Sequence, residues 1–187
     1  MRKRLYVAYG SNLNFQQMKY RCPTAKLYGT GTINNYELQF KGQPGRAFAT
    51  IAPKEGASVP AAVWEIQPKD ERSLDIYEGY PGHYFKQNVS VQLGGEEVSA
   101  MVYVMNLKMQ FALPSVHYYQ TVHEGYKDCG LDTDILDQAV GTSAARIYSS
   151  VAEAIEQQGL FDYGEYEEEG VEEVEDEMDE TDPFFVM

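Results

Sequence analysis

Glu78 is the residue of this sequence that is best placed for acid–base chemistry. It follows an apolar helical stretch that is expected to stop at Gly79, and a carboxylate at a helix C-terminus meets the unfavourable end of the helix dipole. Its aromatic neighbours Tyr77 and Tyr80 would withdraw it from water. Both effects raise the pKa of a carboxyl group towards the range of a general base. A solvated surface glutamate is the alternative that this pattern leaves open.

The segment Tyr9–Leu13 is a second candidate site, because it joins an apolar strand to a short helix. Its single glycine lets the backbone turn sharply, so that successive amide groups can converge at the positive end of the helix. Such a loop suits a carboxylate or a phosphate. One glycine does not make a dinucleotide-binding motif. An ordinary turn capped by Ser11 or Asn12 is the alternative.

Other kinds of site have little support in the sequence. His83, His117 and His123 do not form a metal-binding set, since the last two would lie on different faces of a helix and no second histidine follows at zinc spacing. No Gly-x-Ser-x-Gly nucleophile motif occurs. The 15 tyrosines could line a pocket with apolar area and hydroxyl groups, although half-buried sheet positions are the usual reason for them. We therefore expect neither a metal nor a cofactor.

The elements that would position these residues begin with a strand at Leu5–Tyr9 and a short helix that ends at Pro23. Residues 25–66 predict several successive strands, because turn-forming residues interrupt them. The predicted turns lie at Asn34-Asn35, at residues 42–45 and at residues 53–56. A helix is then expected from Pro68 to Gly79.

The second half of the sequence predicts one hairpin and two helices. Alternating apolar residues on both sides of Gly94-Gly95 predict the hairpin. A helix is expected from Pro114 to Asp128, and a last helix from residue 132 to residue 159, interrupted at Gly141. Strands precede helices, so the fold class is α+β with a curved or closed sheet.

Taken in order, these residues resemble the gamma-glutamylcyclotransferase superfamily in its AIG2-like branch. The resemblance covers residues 5–140 and rests on four matches, which are Tyr9-Gly10-Ser11-Asn12-Leu13, Leu74-Asp75 with Glu78-Gly79, Tyr84, and Pro114-Ser115 with Tyr118. It implies a small mixed β-barrel flanked by helices. It also implies an enzyme that cyclises the gamma-glutamyl group of a small amine or peptide to 5-oxoproline and releases a free amine.

The resemblance implies a role for each matched residue. Glu78 would be the general acid and base, and the glutamyl moiety would be bound by Tyr9, Gly10, Ser11, Asn12 and Leu13. Tyr84 and Tyr118 would be pocket tyrosines, and Tyr103 aligns with another. The substrate's own α-amine is the nucleophile of this reaction, so neither a serine nor a metal is needed.

Two other hypotheses for the function stay open. A non-catalytic AIG2-like module would bind a small carboxylate ligand in the same pocket without needing a raised pKa at Glu78. An interaction scaffold would act chiefly through the C-terminal segment.

The negative charge of the chain is concentrated near its C-terminus. The 187 residues carry 29 acidic and 15 basic side chains, a net charge of −14, and residues 161–187 hold 13 of the acids and no base. Residues 1–160 are therefore nearly neutral, are expected to form one domain, and lack the basic surplus of a nucleic-acid-binding protein. Residues 161–187 are expected to be a mobile tail. Its apolar end, Pro183–Met187, could dock on the domain or on a neighbouring chain.

The sequence also predicts the cellular compartment of the protein. No apolar run approaches the roughly 18 residues of a membrane span, and the apolar stretch after the N-terminal basic residues is too short for a secretory leader. Cys22 and Cys129 share no metal-type spacing, so reduced thiols in the cytoplasm are expected. A disulfide between the two cysteines is the alternative.

Overall fold

The computed structural model describes residues 3–106 and 108–157. Among these residues the strands are β1 (Arg4–Ala8), β2 (Lys26–Gln43), β3 (Arg46–Ile66), β4 (Tyr84–Leu93) and β5 (Glu96–Met105). The helices are α1 (Phe15–Arg21), α2 (Pro68–Tyr77), α3 (Val116–Asp128) and α4 (Asp134–Gln157), and a 3₁₀ turn spans Ser11–Leu13. The chain divides into two units after Ala152, and the barrel lies in the first unit.

The strands of the described residues close into a barrel in the order β1-β3-β2-β4-β5. Antiparallel pairing joins β1 to β3, β3 to β2, β2 to β4 and β4 to β5, and parallel pairing between β1 and β5 closes the ring. Fully buried side chains such as Ile33, Ile51, Val59 and Met101 belong to its core. The predicted α+β fold with a small mixed β-barrel flanked by helices is confirmed.

Residues 25–66 form two long strands, so the prediction that three turns divide them into several successive strands is wrong at two of the three turns. Of the three predicted turns, the one at residues 42–45 reverses the chain between β2 and β3. The other two face each other inside the ladder, where the register shifts beside Asn35. Asn35 and Gly56 both have positive φ angles, and the Asn35 side chain accepts a hydrogen bond from the Gly56 amide at 3.1 Å. Residues that favour turns here produce an irregularity in the ladder, at which residues 54–57 lie opposite Asn35.

All four predicted helices are present with bounds close to the predicted ones, and the predicted end of the last helix at residue 159 lies outside the described residues. The side chains of Asn14 and Ser115 each accept a hydrogen bond from the backbone amide three residues later, and these caps fix the starts of α1 and α3. Because Ser115 is the cap, α3 begins at Val116 and not at Pro114. The predicted interruption of α4 at Gly141 is wrong. A single glycine costs a helix only about 1 kcal/mol, which does not break it.

The structure tests some of the remaining predictions and leaves others untested. The hairpin about Gly94-Gly95 is confirmed, with Leu93 opposite Glu96. In the described part of the chain, no helix is both long enough and apolar enough to cross a bilayer. Cys22 and Cys129 are buried free thiols. The acidic segment 161–187 lies outside the described residues, so its mobility and docking stay predictions.

Candidate active site

A cavity of about 700 Å³ opens at the end of the barrel towards which β1 and β5 both run. Its wall combines the loop after β1, the β2–β3 hairpin, the C-terminal end of α2, the end of β5 and the first turn of α3. Seven of the eight predicted site residues line it, namely Tyr9, Gly10, Ser11, Asn12, Glu78, Tyr84 and Tyr118. Residues that are far apart in the chain are thus brought together by closure of the barrel.

Leu13 is the predicted site residue that the structure places away from the cavity. Its side chain is fully buried in the core, and its amide donates to the Gly10 carbonyl oxygen at 2.9 Å to close the 3₁₀ turn. It packs against α3 at Gly125, where an added Cβ would lie 2.7 Å from the Cβ of Leu13. Leu13 therefore anchors the loop against α3 and does not face a ligand.

Glu78 is the C-cap residue of α2 and is half-buried at the cavity wall. Its carboxylate accepts a hydrogen bond from Asn12 Nδ2 at 2.9 Å, and the same nitrogen donates to the Tyr6 hydroxyl at 2.8 Å. Burial raises the pKa of Glu78 to about 7, although the charge of Arg21 and the bond from Asn12 act in the opposite direction. Such a carboxyl group can take up and return a proton near neutral pH.

Three tyrosine hydroxyls at the cavity are used in two different ways. Tyr9 donates to the Tyr103 carbonyl oxygen at 2.6 Å, and Tyr84 donates to the Ala49 carbonyl oxygen at 3.0 Å. Tyr118 instead accepts a hydrogen bond from the Ala49 amide at 3.2 Å. Burial raises the pKa of all three hydroxyls, so they stay protonated at neutral pH. The Tyr118 proton is therefore available to a ligand, whereas those of Tyr9 and Tyr84 go to the backbone.

The outer part of the cavity is built by the β2–β3 hairpin and by the segment after β5. The Gly42 amide donates to the Gln110 carbonyl oxygen at 2.9 Å, which holds the two segments together. Arg46 and Phe48 lie two residues apart on β3 and so share one face of the strand. The ring of Phe48 packs edge-on against Tyr118, with ring centroids 5.1 Å apart. Among the described lining residues, Arg46 is the one lysine or arginine.

The chemistry of the cavity follows from these groups. Within residues 3–106 and 108–157, no three His, Cys, Asp or Glu side chains are grouped so that they could hold a metal ion. What the cavity provides is a carboxyl group that titrates near neutral pH, an amide donor beside it and a tyrosine proton close by. Those groups suit the transfer of a proton to and from a small bound molecule.

The sequence profile described as "Gamma-glutamyl cyclotransferase, AIG2-like" matches residues 6–125, which include every predicted site residue. The chain belongs to this family. It is 29% identical over 161 residues to a human protein named gamma-glutamylcyclotransferase, across 81% of this chain and 85% of the human one. It is 31% identical over 136 residues to the bovine protein of the same name, across 68% of this chain and 72% of the bovine one.

A solved structure named gamma-glutamyl cyclotransferase has the same fold as this member of the family. The two superimpose with a TM-score of 0.68 at 27% identity, and the superposition covers 74% of this chain and 86% of the other. The recognition of the gamma-glutamylcyclotransferase superfamily from sequence motifs is therefore confirmed.

Sequence reasoning missed Arg21, the last residue of α1. Its guanidinium donates from Nη1 to Asn12 Oδ1 at 2.5 Å and to Ser11 Oγ at 3.1 Å. It also lies 3.5 Å from the centroid of the Tyr77 ring. No motif distinguishes this residue from the other basic side chains. Its position at the end of the helix that follows the loop was the available signal.

Proposed function

We propose that this protein is a gamma-glutamylcyclotransferase that releases 5-oxoproline and a free amine from a small gamma-glutamyl amine or peptide. Relatives of that name at about 30% identity support the reaction class. The observation that carries the proposal is the half-buried Glu78 carboxyl group, which faces the cavity beside Asn12 and has its pKa raised to about 7.

Glu78 would move a proton between the two nitrogen atoms of the substrate. Its carboxylate takes one proton from the α-ammonium group, and the resulting amine attacks the γ-carbonyl carbon to form the ring C–N bond. The ring nitrogen releases a second proton to solvent. The C–N bond to the leaving group then breaks as the Glu78 carboxyl returns its proton to that nitrogen. The attack is intramolecular, so holding a folded conformer of the substrate contributes much of the rate.

Other groups of the cavity would bind and stabilise the reacting molecule. Negative charge develops on the γ-carbonyl oxygen during attack, and the Tyr118 proton is a donor that the protein leaves available for it. Tyr9, Gly10, Ser11 and Asn12 would hold the glutamyl moiety. Tyr84, bound to the Ala49 carbonyl oxygen, would form part of the wall.

The leaving amine would occupy the outer part of the cavity. Phe48 and Met109 offer apolar surface there, and Arg46 offers a positive charge. A leaving amine with an apolar side chain and a carboxylate would be complementary to these groups.

The experiment is to incubate the protein with a panel of gamma-glutamyl amino acids, peptides and simple amines, and to follow 5-oxoproline by mass spectrometry. We expect release from at least one compound, and we expect Glu78→Gln to lower kcat by about 10² to 10⁴ while the far-UV circular dichroism is unchanged. Turnover retained by Glu78→Gln would contradict the mechanism. Binding of a panel compound without any turnover by the wild type would instead indicate a carboxylate-binding module.

A further inference from the structure

We propose that Arg21 is a positioning residue for Glu78 that acts through Asn12, and this role rests on the proposed cyclotransferase function. Arg21 does not line the cavity, so it would not touch the substrate. It contacts the opposite side of the loop, where Asn12 separates it from the Glu78 carboxylate.

The two ends of the Asn12 side chain differ in their hydrogen bonding. An asparagine amide has an oxygen that accepts and a nitrogen that donates, whereas a guanidinium only donates. Arg21 Nη1 lies 2.5 Å from Asn12 Oδ1, so the oxygen of the amide must face Arg21. The nitrogen is thereby turned towards Glu78 and Tyr6, to which it donates at 2.9 and 2.8 Å.

The reversed amide would be unfavourable at both ends. It would place Asn12 Oδ1 against the Glu78 carboxylate, an acceptor against an acceptor, and Nδ2 against the guanidinium of Arg21, a donor against a donor. Asn12 is only 3% exposed, so water would not readily replace the lost partners. Arg21 therefore selects the orientation in which Asn12 supports the ionised form of Glu78.

Arg21 also fixes the relative positions of three segments around this carboxyl group. Its Nη2 donates to Gln17 Oε1 at 2.8 Å within α1, and its Nη1 reaches Ser11 Oγ in the loop. The face of its guanidinium covers the Tyr77 ring, on the residue directly before Glu78. A planar fork that donates and stacks at the same time is specific to arginine, and a lysine cannot reproduce it.

The remaining titratable groups around Glu78 leave Arg21 as the cation that acts on it. Five tyrosine hydroxyls on β1, the loop after it, β4, β5 and α3 interact electrostatically with the carboxyl group, and burial raises their pKa values so that they are neutral near pH 7; they are Tyr6, Tyr9, Tyr84, Tyr103 and Tyr118. The Cys22 thiol is neutral for the same reason. Tyr77 and Asp75 flank Glu78 on α2, and His83 and Arg46 line the same cavity. Arg21 and Asn12 are the groups that lower the pKa of Glu78 against the effect of burial.

The direct test is to titrate the Glu78 side-chain carboxyl carbon by NMR in the wild type and in Arg21→Gln, with Glu78→Gln providing the assignment. The midpoint is expected near pH 7 in the wild type and about one pH unit higher in Arg21→Gln, because a favourable charge and an oriented donor are both lost. The Asn12 side-chain amide protons should follow this titration in the wild type and should cease to do so in the variant. An unchanged midpoint with unchanged amide behaviour would overturn the proposal. Lys19→Gln is the matched control, since it removes an exposed charge from the same helix and should change neither signal.

Kinetics separate positioning from simple charge. Arg21→Gln is expected to lower kcat by about tenfold with KM nearly unchanged, and the loss should persist at pH 9, where the carboxyl group is ionised in both proteins. Arg21→Lys keeps the charge and should still lose most of this kcat. Full activity in Arg21→Lys, or recovery of Arg21→Gln at pH 9, would overturn positioning in favour of charge alone.

A double-mutant cycle tests the route through Asn12. In an Asn12→Ala background, Arg21→Gln should lower kcat by less than about threefold, because coupled residues are not additive. A full tenfold further loss would overturn the route. If no panel compound is turned over by the wild type, the proposed function fails, whereas the NMR titration still decides whether Arg21 orients Asn12.

Discussion

Helix α2 carries acidic side chains in two contrasting environments less than three turns apart. Glu71 lies 2.7 Å from both Arg4 and Lys86, and Asp75 lies 2.7 Å from Lys86 and accepts from the Tyr103 hydroxyl at 2.5 Å. Glu78, at the end of the same helix, has an amide of Asn12 as its partner, and no lysine or arginine of the described residues forms an ion pair with it.

One helix can thus carry acids that stabilise the fold and an acid that exchanges a proton. Glu71 and Asp75 form ion pairs with cations at short distance, and these pairs hold α2 to β1 and β4. Glu78 is withdrawn from water without a matching cation at contact distance, so its proton affinity rises. An acid that was fully paired could not exchange a proton near neutral pH, and an acid that was fully solvated would lose its proton too readily.

The contrast predicts a steep pH dependence of turnover. If Glu78 must be ionised to act as the base, kcat/KM should fall about tenfold per pH unit below about pH 7, and about a hundredfold by pH 5. The measurement is kcat/KM between pH 5 and pH 9, with circular dichroism at each pH as the control for folding. An inflection near pH 4.5 would mean that Glu78 is as solvated as an ordinary glutamate, and the contrast with Asp75 would disappear.

The second prediction concerns the stability cost of burying Glu78 without a cation at contact distance. Its pKa is raised in the folded protein from the ordinary 4.5 to about 7, so the free energy of unfolding should decrease as pH rises across that interval. Glu78→Gln has no charge to bury and should therefore be more stable than the wild type at pH 8, by about 2 kcal/mol after allowance for partial exposure.

Urea unfolding of both proteins at pH 8 and at pH 5.5 checks this sign. The stability advantage of Glu78→Gln should shrink at the lower pH, where the wild-type carboxyl group is protonated in the folded state. A variant that is less stable than the wild type at pH 8 would show that Glu78 contributes to the fold in the way that Asp75 does.

The third prediction addresses the paired acids. Lys86→Met leaves Glu71 and Asp75 without their shared cation, and we expect the free energy of unfolding to fall by about 1.5 kcal/mol. Lys54→Met is the matched control, because Lys54 is mostly exposed in its pair with Glu37 and its loss should cost about 0.5 kcal/mol. Chemical denaturation measures both. Equal losses would remove the distinction between a supporting cluster and a surface pair.

The smallest expected effect lies at the mouth of the cavity. Arg46→Gln should raise KM about threefold for gamma-glutamyl compounds whose leaving amine carries a carboxylate, and should leave kcat nearly unchanged. Substrates whose leaving amine has no carboxylate serve as the internal control, because their KM should not change. A uniform rise in KM for both groups would indicate that the substitution disturbs the hairpin and not a specific contact.

Much of the fold could be predicted because local rules and tertiary structure agree in it. The Gly94-Gly95 hairpin and the helix start at Pro68 follow from short-range preferences that nothing else in the molecule opposes. The long β2–β3 ladder could not be predicted, because Asn35 and Gly56 favour turns when read locally. Their pairing inside one ladder depends on which strands meet, and that is a property of the whole barrel.

The site shows the same division between local and long-range information. Glu78 could be identified because a helix end with aromatic neighbours predicts a withdrawn carboxyl group. Arg21 was missed because no motif marks a basic residue nine positions after Asn12, and its contact with Asn12 depends on how α1 packs against the loop. Leu13 belongs to the motif but serves the core, since an apolar side chain next to polar ones in a loop gives no sign of the direction in which it packs.

Closure of the barrel also determines when the site comes into being. The parallel pairing of β1 with β5 joins Tyr6 to Met101, and the loop that carries Asn12 follows β1 directly. Contacts across such long stretches of chain are slow to form, because the entropy of closing the loop is lost before any contact compensates it. A refolding intermediate with β4 and β5 paired but β1 detached would lack the hydrogen bond from Asn12 to Glu78. Only molecules with a closed barrel would therefore be active during refolding. The recovery of turnover should lag behind the recovery of secondary structure.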